Sequence, residues 1–149
     1  MKNKNPFYLL NFALFRFFLF IYIPKGIKVL KPIQNILIKN KEIFNQFNKT
    51  FIILDEKSEL TYIEGCTSQN NIFNNSISLP VIEIILMKNS ILKYITFNNY
   101  TNNSIHFINK NFFLKKNSNL IYLDFSINSK ININYINFIL KGNNSNLKS

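Results

Sequence analysis

The chain has 149 residues, of which 47% are hydrophobic and 17% are charged, so it has room for one domain with a single modest core. That composition excludes a disordered tail and a protein with several membrane spans. Lysine and arginine together outnumber aspartate and glutamate by 18 to 7, which gives a formal net charge of +11. A single cysteine and a single histidine exclude a disulfide, a structural zinc site and a self-contained metal cluster within this chain.

The basic charge taken alone would favour a nucleic-acid partner, but the rest of the composition weakens that inference. The chain has one Ala, two Val, no Trp and one Arg, whereas Asn, Ile, Lys, Phe and Tyr, which have A- and T-rich codons, are frequent. The bidentate phosphate and base contacts that Arg makes could come only from Arg16, which lies in a run of phenylalanines. We therefore expect no nucleic-acid partner and an AT-rich genome, such as that of an organelle or a reduced symbiont.

The first element is the apolar segment from Phe7 to Ile23, which has 17 residues and follows Lys2 and Lys4. Its length is at the lower limit for a membrane span, and Asn11 and Arg16 lie inside it. The other interpretation is a pair of buried strands. A small membrane-anchored organellar protein with a β-rich head is therefore an alternative to a folded domain without an anchor.

Beyond residue 24 the pattern predicts short β-strands, because β-branched and aromatic residues are frequent and the helical period of 3.6 residues is mostly absent. In the last of them Ile131, Ile133 and Tyr135 share one face and asparagines the other, so we expect one face to be buried. The segment Lys28–Phe47 lacks the pattern and is left unassigned. The predicted strands are Lys49–Leu54, Glu59–Glu64, Val81–Met87, Ile91–Phe97, Ser104–Asn109, Asn119–Phe125 and Lys130–Phe138.

A repeated Asn-Ser pair indicates how these strands are arranged. The pairs begin at residues 75, 89, 103 and 117, each 14 residues after the one before, and a further pair begins at 128. Both residues suit turns, and a strand followed by a short polar turn at a constant period is typical of a β-solenoid. A Greek-key sandwich usually needs more than the three Gly and four Pro present. The sequence thus predicts a single all-β domain with little helix.

The segment around the cysteine carries a specific resemblance. Thr61–Thr67 reads T-Y-I-E-G-C-T and resembles the Y-[IL]-E-G-C-T signature of the SufB branch of the SufB/SufD family, the scaffold proteins of the SUF iron-sulfur cluster assembly system. Upstream, Phe20–Gly26 is similar to that family's F-V-Y-I-P-K-G and Phe51–Glu56 to its L-I-I-x-D-E. Downstream, Val81–Ile84 resembles its V-V-E-L strand, and Lys93–Asn99 keeps the order K-Y-x-T-x-x-N.

The resemblance implies the fold and its extent. The family core is a right-handed parallel β-helix, which we expect over residues 1–141, with the best match over 12–101 and a polar tail over 142–149. It makes the segment from Phe7 to Ile23 a strand rather than an anchor. The family's N-terminal and C-terminal regions have no counterpart here, so we expect a shortened core: a functional scaffold, a fragment, or a degenerate non-functional relic.

The resemblance also implies a chemical role for Cys66. The cysteine of the E-G-C-T motif handles sulfur for a nascent cluster, which makes Cys66 the candidate sulfur acceptor and, through its thiolate, a candidate metal ligand. Glu64 lies two residues earlier, on the same face of a strand, and is a possible accessory group. We expect His106 to lie on the solvent side or at a coil corner and not to be a ligand. Asp55 and Glu83 are predicted at turns or coil edges and Lys25 in solvent.

The implied setting is a multi-protein system. The chain would be a non-catalytic scaffold component that holds an iron-sulfur cluster transiently, shared with a partner chain. The implied partners are a SufC-type ATPase, a SufD-like or second SufB-like chain, and sulfur-donor proteins. Together with the AT-rich composition, the resemblance implies the stroma of a plastid, an apicoplast or a similar relict organelle.

Overall fold

The computed structural model of the protein describes residues 5–39, 45–68 and 76–149. In these residues one short helix precedes a series of β-strands. The elements are α1 (Pro6–Leu14), β1 (Phe17–Ile23), β2 (Ile33–Lys39), β3 (Asn48–Leu54), β4 (Glu59–Ser68), β5 (Ser76–Ser78), β6 (Val81–Leu86), β7 (Ile91–Asn99), β8 (Ser104–Leu114), β9 (Asn119–Ile127), β10 (Ile131–Leu140) and β11 (Asn146–Lys148).

The strands form two parallel sheets that the chain visits in turn. Sheet A has the order β1-β3-β6-β8-β10, with β5 also paired to β8, and sheet B has the order β11-β9-β7-β4-β2. All strand pairs are parallel. Apart from β5 and β6, which both lie in sheet A, successive strands alternate between the sheets, so the chain winds into a β-solenoid of about four turns. The predicted all-β, single-domain β-helical fold is confirmed, and so are the seven predicted strands.

The 14-residue spacing of the Asn-Ser pairs corresponds to half a coil. Ile91 pairs with Asn119 in sheet B, and Val81 pairs with Asn109 in sheet A, so in this part of the solenoid one full coil takes 28 residues. Each coil contributes one strand to each sheet. A turn therefore follows each strand about every half coil, and the repeated Asn-Ser pair marks these turns in the sequence.

The turns at one corner of the solenoid stack directly on one another. The Asn89 amide donates to the Lys116 carbonyl, and Asn117 Nδ2 donates to Asn89 Oδ1 at 3.0 Å. Each turn places one residue in the left-handed region, where Gly and Asn are tolerated best. The residue that follows this position in four of the turns is a serine whose hydroxyl donates to a carbonyl of its own turn. The left-handed residues of these stacked turns are Gly26, Lys57, Asn89, Asn117 and Asn144.

The interior of the solenoid has an apolar half and a polar half. Next to the stacked turns, Leu54, Leu86 and Leu114 lie in register on sheet A and are fully buried. Further along the strands of both sheets the inward residues become polar, and Glu64, Thr96 and Lys110 are buried there. The aliphatic stack supplies the hydrophobic core, and the polar half contains the chemically active side chains.

The segment from Phe7 to Ile23 is a helix followed by a strand, so the prediction of a strand is wrong for its first half and right for β1. The Asn5 side chain caps α1 by accepting from the Phe7 amide at 2.9 Å, and proline occupies the first helical position. These residues do not pair in a sheet, so their helical propensity decides the local structure. No helix in the described part of the chain is long and apolar enough to cross a membrane.

Helix α1 lies across the outer face of sheet A. The Tyr8 hydroxyl donates to Glu83 Oε1 at 3.1 Å, and the Phe7 ring stacks on Phe107 at 3.9 Å between ring centres. Asn11 is 1% exposed, and its amide donates to the Asn48 and Leu79 carbonyls. These contacts explain why a polar residue inside an apolar run is buried.

Three further segments differ from the expectation or add to it. The unassigned segment Lys28–Phe47 contains β2, and its residues 40–44 lie outside the described residues. On β10, Ile131, Ile133 and Tyr135 point outward and are 37–41% exposed, so the expected burial of this face is wrong. The reason is that a solenoid buries the face turned towards its interior. Residues 142–149, predicted as a polar tail, include β11, which pairs with β9.

Candidate functional site

Cys66 lies on β4 and points into the polar half of the solenoid. Its side chain is 7% exposed, and Sγ donates to Gln46 Oε1 at 3.4 Å. Burial raises the pKa of the Cys66 thiol to about 11, although the nearby Lys39 ammonium acts in the opposite direction. The group is therefore a protonated thiol at neutral pH, protected from bulk solvent.

Glu64 shares the inward face of β4 with Cys66, as the two-residue spacing predicts. Its carboxylate is a centre of hydrogen bonding, because it accepts from the Tyr94 hydroxyl, from Thr50 Oγ1 at 3.3 Å and from the Tyr62 hydroxyl at 3.4 Å. Three donors satisfy a buried carboxylate that would otherwise be costly. Glu64 thus helps to fix the tyrosines beside the cysteine.

A small cavity of about 40 Å³ adjoins both residues. This volume holds one or two water molecules, or an added atom on a lining side chain. Asn48 lines it, is 8% exposed, and has an Oδ1 atom without a hydrogen-bond partner among the described residues. The side chains that line the cavity include Asn48, Glu64, Cys66, Tyr100 and Lys110.

A second polar cluster that sequence reasoning did not find adjoins the cavity. Lys110 is 1% exposed, and its Nζ lies 2.9 Å from Asp124 Oδ2 and 2.7 Å from the Tyr122 hydroxyl. Burial lowers the pKa of Lys110 against the opposing effect of Asp124. Burial raises the pKa of Asp124, but Lys110 and the Thr96 and Tyr122 hydroxyls outweigh it and leave the pKa below its usual value. The sequence could not predict this pair, because Lys110 and Asp124 lie on different sheets and their proximity depends on the coil register.

The tyrosines of this half form a stacked column. Tyr62, Tyr94 and Tyr122 occupy equivalent positions in three successive coils, with ring centres 5.6 Å apart at each step. Their hydroxyls supply the donors to Glu64 and Asp124. The column positions polar groups along the solenoid axis while burying aromatic area.

His106 lies inside the solenoid, so the expectation of a solvent or corner position is wrong. It is 0% exposed, its ring stacks on Tyr100 at 3.4 Å between centres, and Nε2 is 2.8 Å from Ser104 Oγ. The alternation on β8 was correct, but its faces were assigned the wrong way round, and Ile105 and Phe107 point outward. Burial, with a further effect of Lys39, lowers the pKa of His106 to about 3.

The remaining predicted residues lie away from the cysteine. Lys25 is exposed, as expected, and pairs with Glu56 at 2.7 Å. Asp55 lies in a turn, as expected, and accepts from the Tyr22 hydroxyl. Glu83 lies within β6 on the outer face, not at a coil edge, and pairs with Lys49 at 3.2 Å.

The described residues bring no group of three or more His, Cys, Asp or Glu side chains together. Cys66 and Glu64 therefore do not form a multidentate metal site among these residues. What they form is a buried thiol beside a small polar cavity, with a carboxylate held by hydroxyls and two buried lysines, Lys39 and Lys110. Such a site can hold sulfur on the cysteine away from bulk solvent.

The fold and the site together define a small parallel β-solenoid that carries one buried thiol on a polar interior wall. A family model described as "SUF system FeS cluster assembly, SufBD core domain" matches residues 36–149. The chain belongs to this SufB/SufD family of iron-sulfur cluster assembly proteins, which confirms the resemblance found in its motifs.

Curated relatives agree with this assignment. Over 94 residues the chain is 40% identical to the iron-sulfur cluster assembly protein SufB of Bacillus subtilis, a stretch that covers 63% of this chain and 20% of that protein. It is 39% identical over 93 residues to an iron-sulfur cluster assembly SufBD family protein of Staphylococcus saprophyticus, covering 62% of this chain and 20% of that protein. A Staphylococcus aureus member is 40% identical over 92 residues, again 62% and 20% of the two chains. The chain spans about a fifth of the length of these relatives.

Proposed function

We propose that the chain is a SufB-like scaffold subunit in which Cys66 accepts sulfur for a nascent iron-sulfur cluster. The observation that carries the proposal is the position of the E-G-C-T cysteine, inside the solenoid and against a polar cavity. A thiol takes up sulfane sulfur, the zero-valent sulfur of a persulfide, without net oxidation, and burial shields the product from bulk solvent. Iron and sulfur are the cargo of this reaction.

The proposed setting follows the family. The chain would act without enzymatic activity of its own, next to a SufC-type ATPase, a SufD-like or second SufB-like chain, and sulfur-donor proteins. The cluster would be held transiently at a boundary with such a partner, because one thiol and one carboxylate are too few ligands for it. The plastid stroma is the proposed location on the basis of composition; the relatives compared above are bacterial.

The alternative of a membrane-anchored head has less support. The apolar segment that suggested it folds into α1 and β1, and α1 is fixed to sheet A through Asn11 and Tyr8. A degenerate fragment would be under no constraint to keep Glu64 and Cys66 together with their partners, and these contacts are intact.

The test is co-expression of the tagged chain with a SufC-type ATPase and a SufD-like chain, followed by anaerobic measurement of bound iron and acid-labile sulfide. We expect the wild-type complex to acquire both, and the Cys66→Ser variant to lose most of the sulfide. Thr67→Ser, in the same motif and one residue along, is the matched control and should behave as wild type. Full loading of the Cys66→Ser complex would contradict the proposal.

A further inference from the structure

Lys39, at the end of β2, is a buried cation that has no counter-charge among the residues the structure describes. It is 3% exposed, and its Nζ donates to Ser76 Oγ at 3.4 Å and lies 5.8 Å from the centre of the Tyr100 ring. No carboxylate among the described residues lies within ion-pairing distance of it. A buried ammonium group satisfied by one hydroxyl is costly, which indicates that it is kept for a partner of negative charge.

The coil register brings Lys39 towards Cys66. Leu37 pairs with Cys66 and Lys39 with Ser68, so Lys39 is on the inward face one inward position beyond the cysteine. The two side chains also share a neighbour, because the Tyr100 ring that receives Lys39 lines the cavity at Cys66. The two groups are close enough to interact electrostatically: burial has the largest effect on the pKa of the Cys66 thiol, which it raises, while Lys39 lowers that pKa and Glu64 raises it.

The cavity beside Cys66 has space for an added atom on the thiol. Asn48 lines the cavity, is 8% exposed, and leaves Oδ1 without a hydrogen-bond donor among the described residues. That oxygen is an acceptor, so its partner is a donor such as a bound water molecule and not the sulfur anion itself. The cavity volume of about 40 Å³ is enough for one added sulfur atom on Cys66.

We propose that Lys39 is the charge partner of the sulfur carried by Cys66, and that its ammonium group holds the Cys66 persulfide as an anion inside the solenoid. This inference rests on the proposed role of Cys66 as sulfur acceptor. Lys39 is a positioning residue: it forms no bond to sulfur and stabilises the charge on it.

The chemistry balances with a polysulfide as the donor. The Cys66 thiolate attacks a terminal sulfur of tetrasulfide, a bond forms between Sγ and that sulfur, and the adjacent S–S bond breaks with its electron pair leaving on trisulfide. The proton of the thiol goes to solvent before attack. No net oxidation occurs, and the product persulfide, which is more acidic than a thiol, stays anionic beside Lys39.

The experiment measures persulfide on the purified full chain at equilibrium with sodium tetrasulfide, after iodoacetamide trapping, by mass spectrometry of the Cys66 peptide. Lys39→Met and Lys39→Gln both remove the charge, and Gln retains a donor for Ser76. We expect each to need about tenfold more tetrasulfide for half-loading, because an opposite charge nearby shifts such an equilibrium by a factor of ten or more. Lys39→Arg should load as wild type, and Lys93→Met, at an exposed lysine of β7, is the matched control.

The outcomes separate the two proposals. Wild-type half-loading in both neutral variants would overturn the role of Lys39 and leave Cys66 as the acceptor. A lower melting temperature in Lys39→Met with unchanged loading would mark a structural role only, and would also overturn it. Absence of persulfide from Cys66 in the wild-type chain would overturn the acceptor role and this inference together.

Discussion

Lys110 Nζ lies 2.9 Å from Asp124 Oδ2 inside the solenoid, on strands of opposite sheets, and the lysine is 1% exposed. The pair therefore connects sheet A to sheet B through the polar half of the interior. Each group also has a hydroxyl partner, since Tyr122 accepts from Lys110 and Thr96 donates to Asp124 at 2.6 Å. Breaking such a pair from one side leaves an uncompensated buried charge.

Removing the carboxylate of this pair should cost more than removing the ammonium group. Asp124→Asn leaves a fully buried ammonium, and we expect the free energy of unfolding to fall by about 3 kcal/mol. Lys110→Met leaves a carboxylate that is 16% exposed and keeps its two hydroxyl donors, so its cost should be about 1–2 kcal/mol. Urea unfolding of the two variants and of the surface control Lys93→Met measures the difference. Equal costs for the two variants would refute this asymmetry.

The single histidine should make stability depend on pH. The pKa of His106 is lowered to about 3 in the folded chain and is about 6.5 when unfolded, so the unfolded state binds a proton that the folded state excludes. Above pH 6.5 the neutral imidazole does not reduce the free energy of unfolding. As the pH falls from that value towards 3, the free energy of unfolding decreases. Between pH 7 and pH 5 the loss is about 2 kcal/mol.

Urea unfolding at the two pH values checks this dependence. His106→Gln should flatten the profile over that interval, whatever its stability at pH 7. The chain has no other histidine, and Asp55, Glu56 and Asp124 have pKa values lowered below the interval. A His106→Gln profile as steep as the wild type would contradict the assignment.

The glycine between Glu64 and Cys66 should not tolerate a side chain. A Cβ on Gly65 would lie 3.0 Å from Ile36 Cδ1 and 3.0 Å from the Phe97 carbonyl oxygen. Gly65→Ala should lower the free energy of unfolding by about 1–3 kcal/mol through overpacking. Thermal melting of Gly65→Ala alone and with Ile36→Ala tests the cause. The double variant should recover only part of the loss, because the backbone contact remains; full recovery would show that Ile36 alone is the obstacle.

Substitutions at a left-handed turn residue should distinguish the effect of its backbone conformation on stability from that of its side-chain hydrogen bond. Asn117 has φ of 55°, and its amide donates to Asn89. Asn117→Ala loses both advantages and should cost about 1–2 kcal/mol, whereas Asn117→Gly keeps the backbone freedom and should cost less. Chemical denaturation of both variants gives the comparison. A glycine variant less stable than the alanine variant would contradict the left-handed assignment.

Much of the fold was accessible from the sequence because a solenoid repeats. Alternation within strands such as Asn119–Phe125, and the Asn-Ser spacing, report strand and turn positions that each recur every half coil. What alternation cannot say is which face is inside. His106 and the outward Ile131 and Ile133 were misplaced for that reason, since a polar interior reverses the usual association of apolar side chains with burial.

The candidate site was accessible only in part. The motif identified Cys66, and the two-residue spacing placed Glu64 on the same face. The positions of Lys39, Lys110 and Asp124 are set by the registers of β2 with β4, of β6 with β8 and of β7 with β9. These registers depend on coil lengths, which range from 26 to 32 residues between paired strands. Local sequence contains no such information. Helix α1 was missed because its side chains pack on an outer sheet face and not on the core.

Helix α1 also changes how the solenoid can unfold. In a stacked array each coil contacts only its neighbours, so end coils can separate one at a time. Here Phe7 stacks on Phe107, Tyr8 bonds to Glu83 and Asn11 bonds to the Asn48 carbonyl, so one nine-residue helix touches β8, β6 and β3 in three successive coils. Stepwise fraying of the first coils requires the loss of contacts to the later ones. The helix therefore couples these coils, so that they unfold in a single cooperative event.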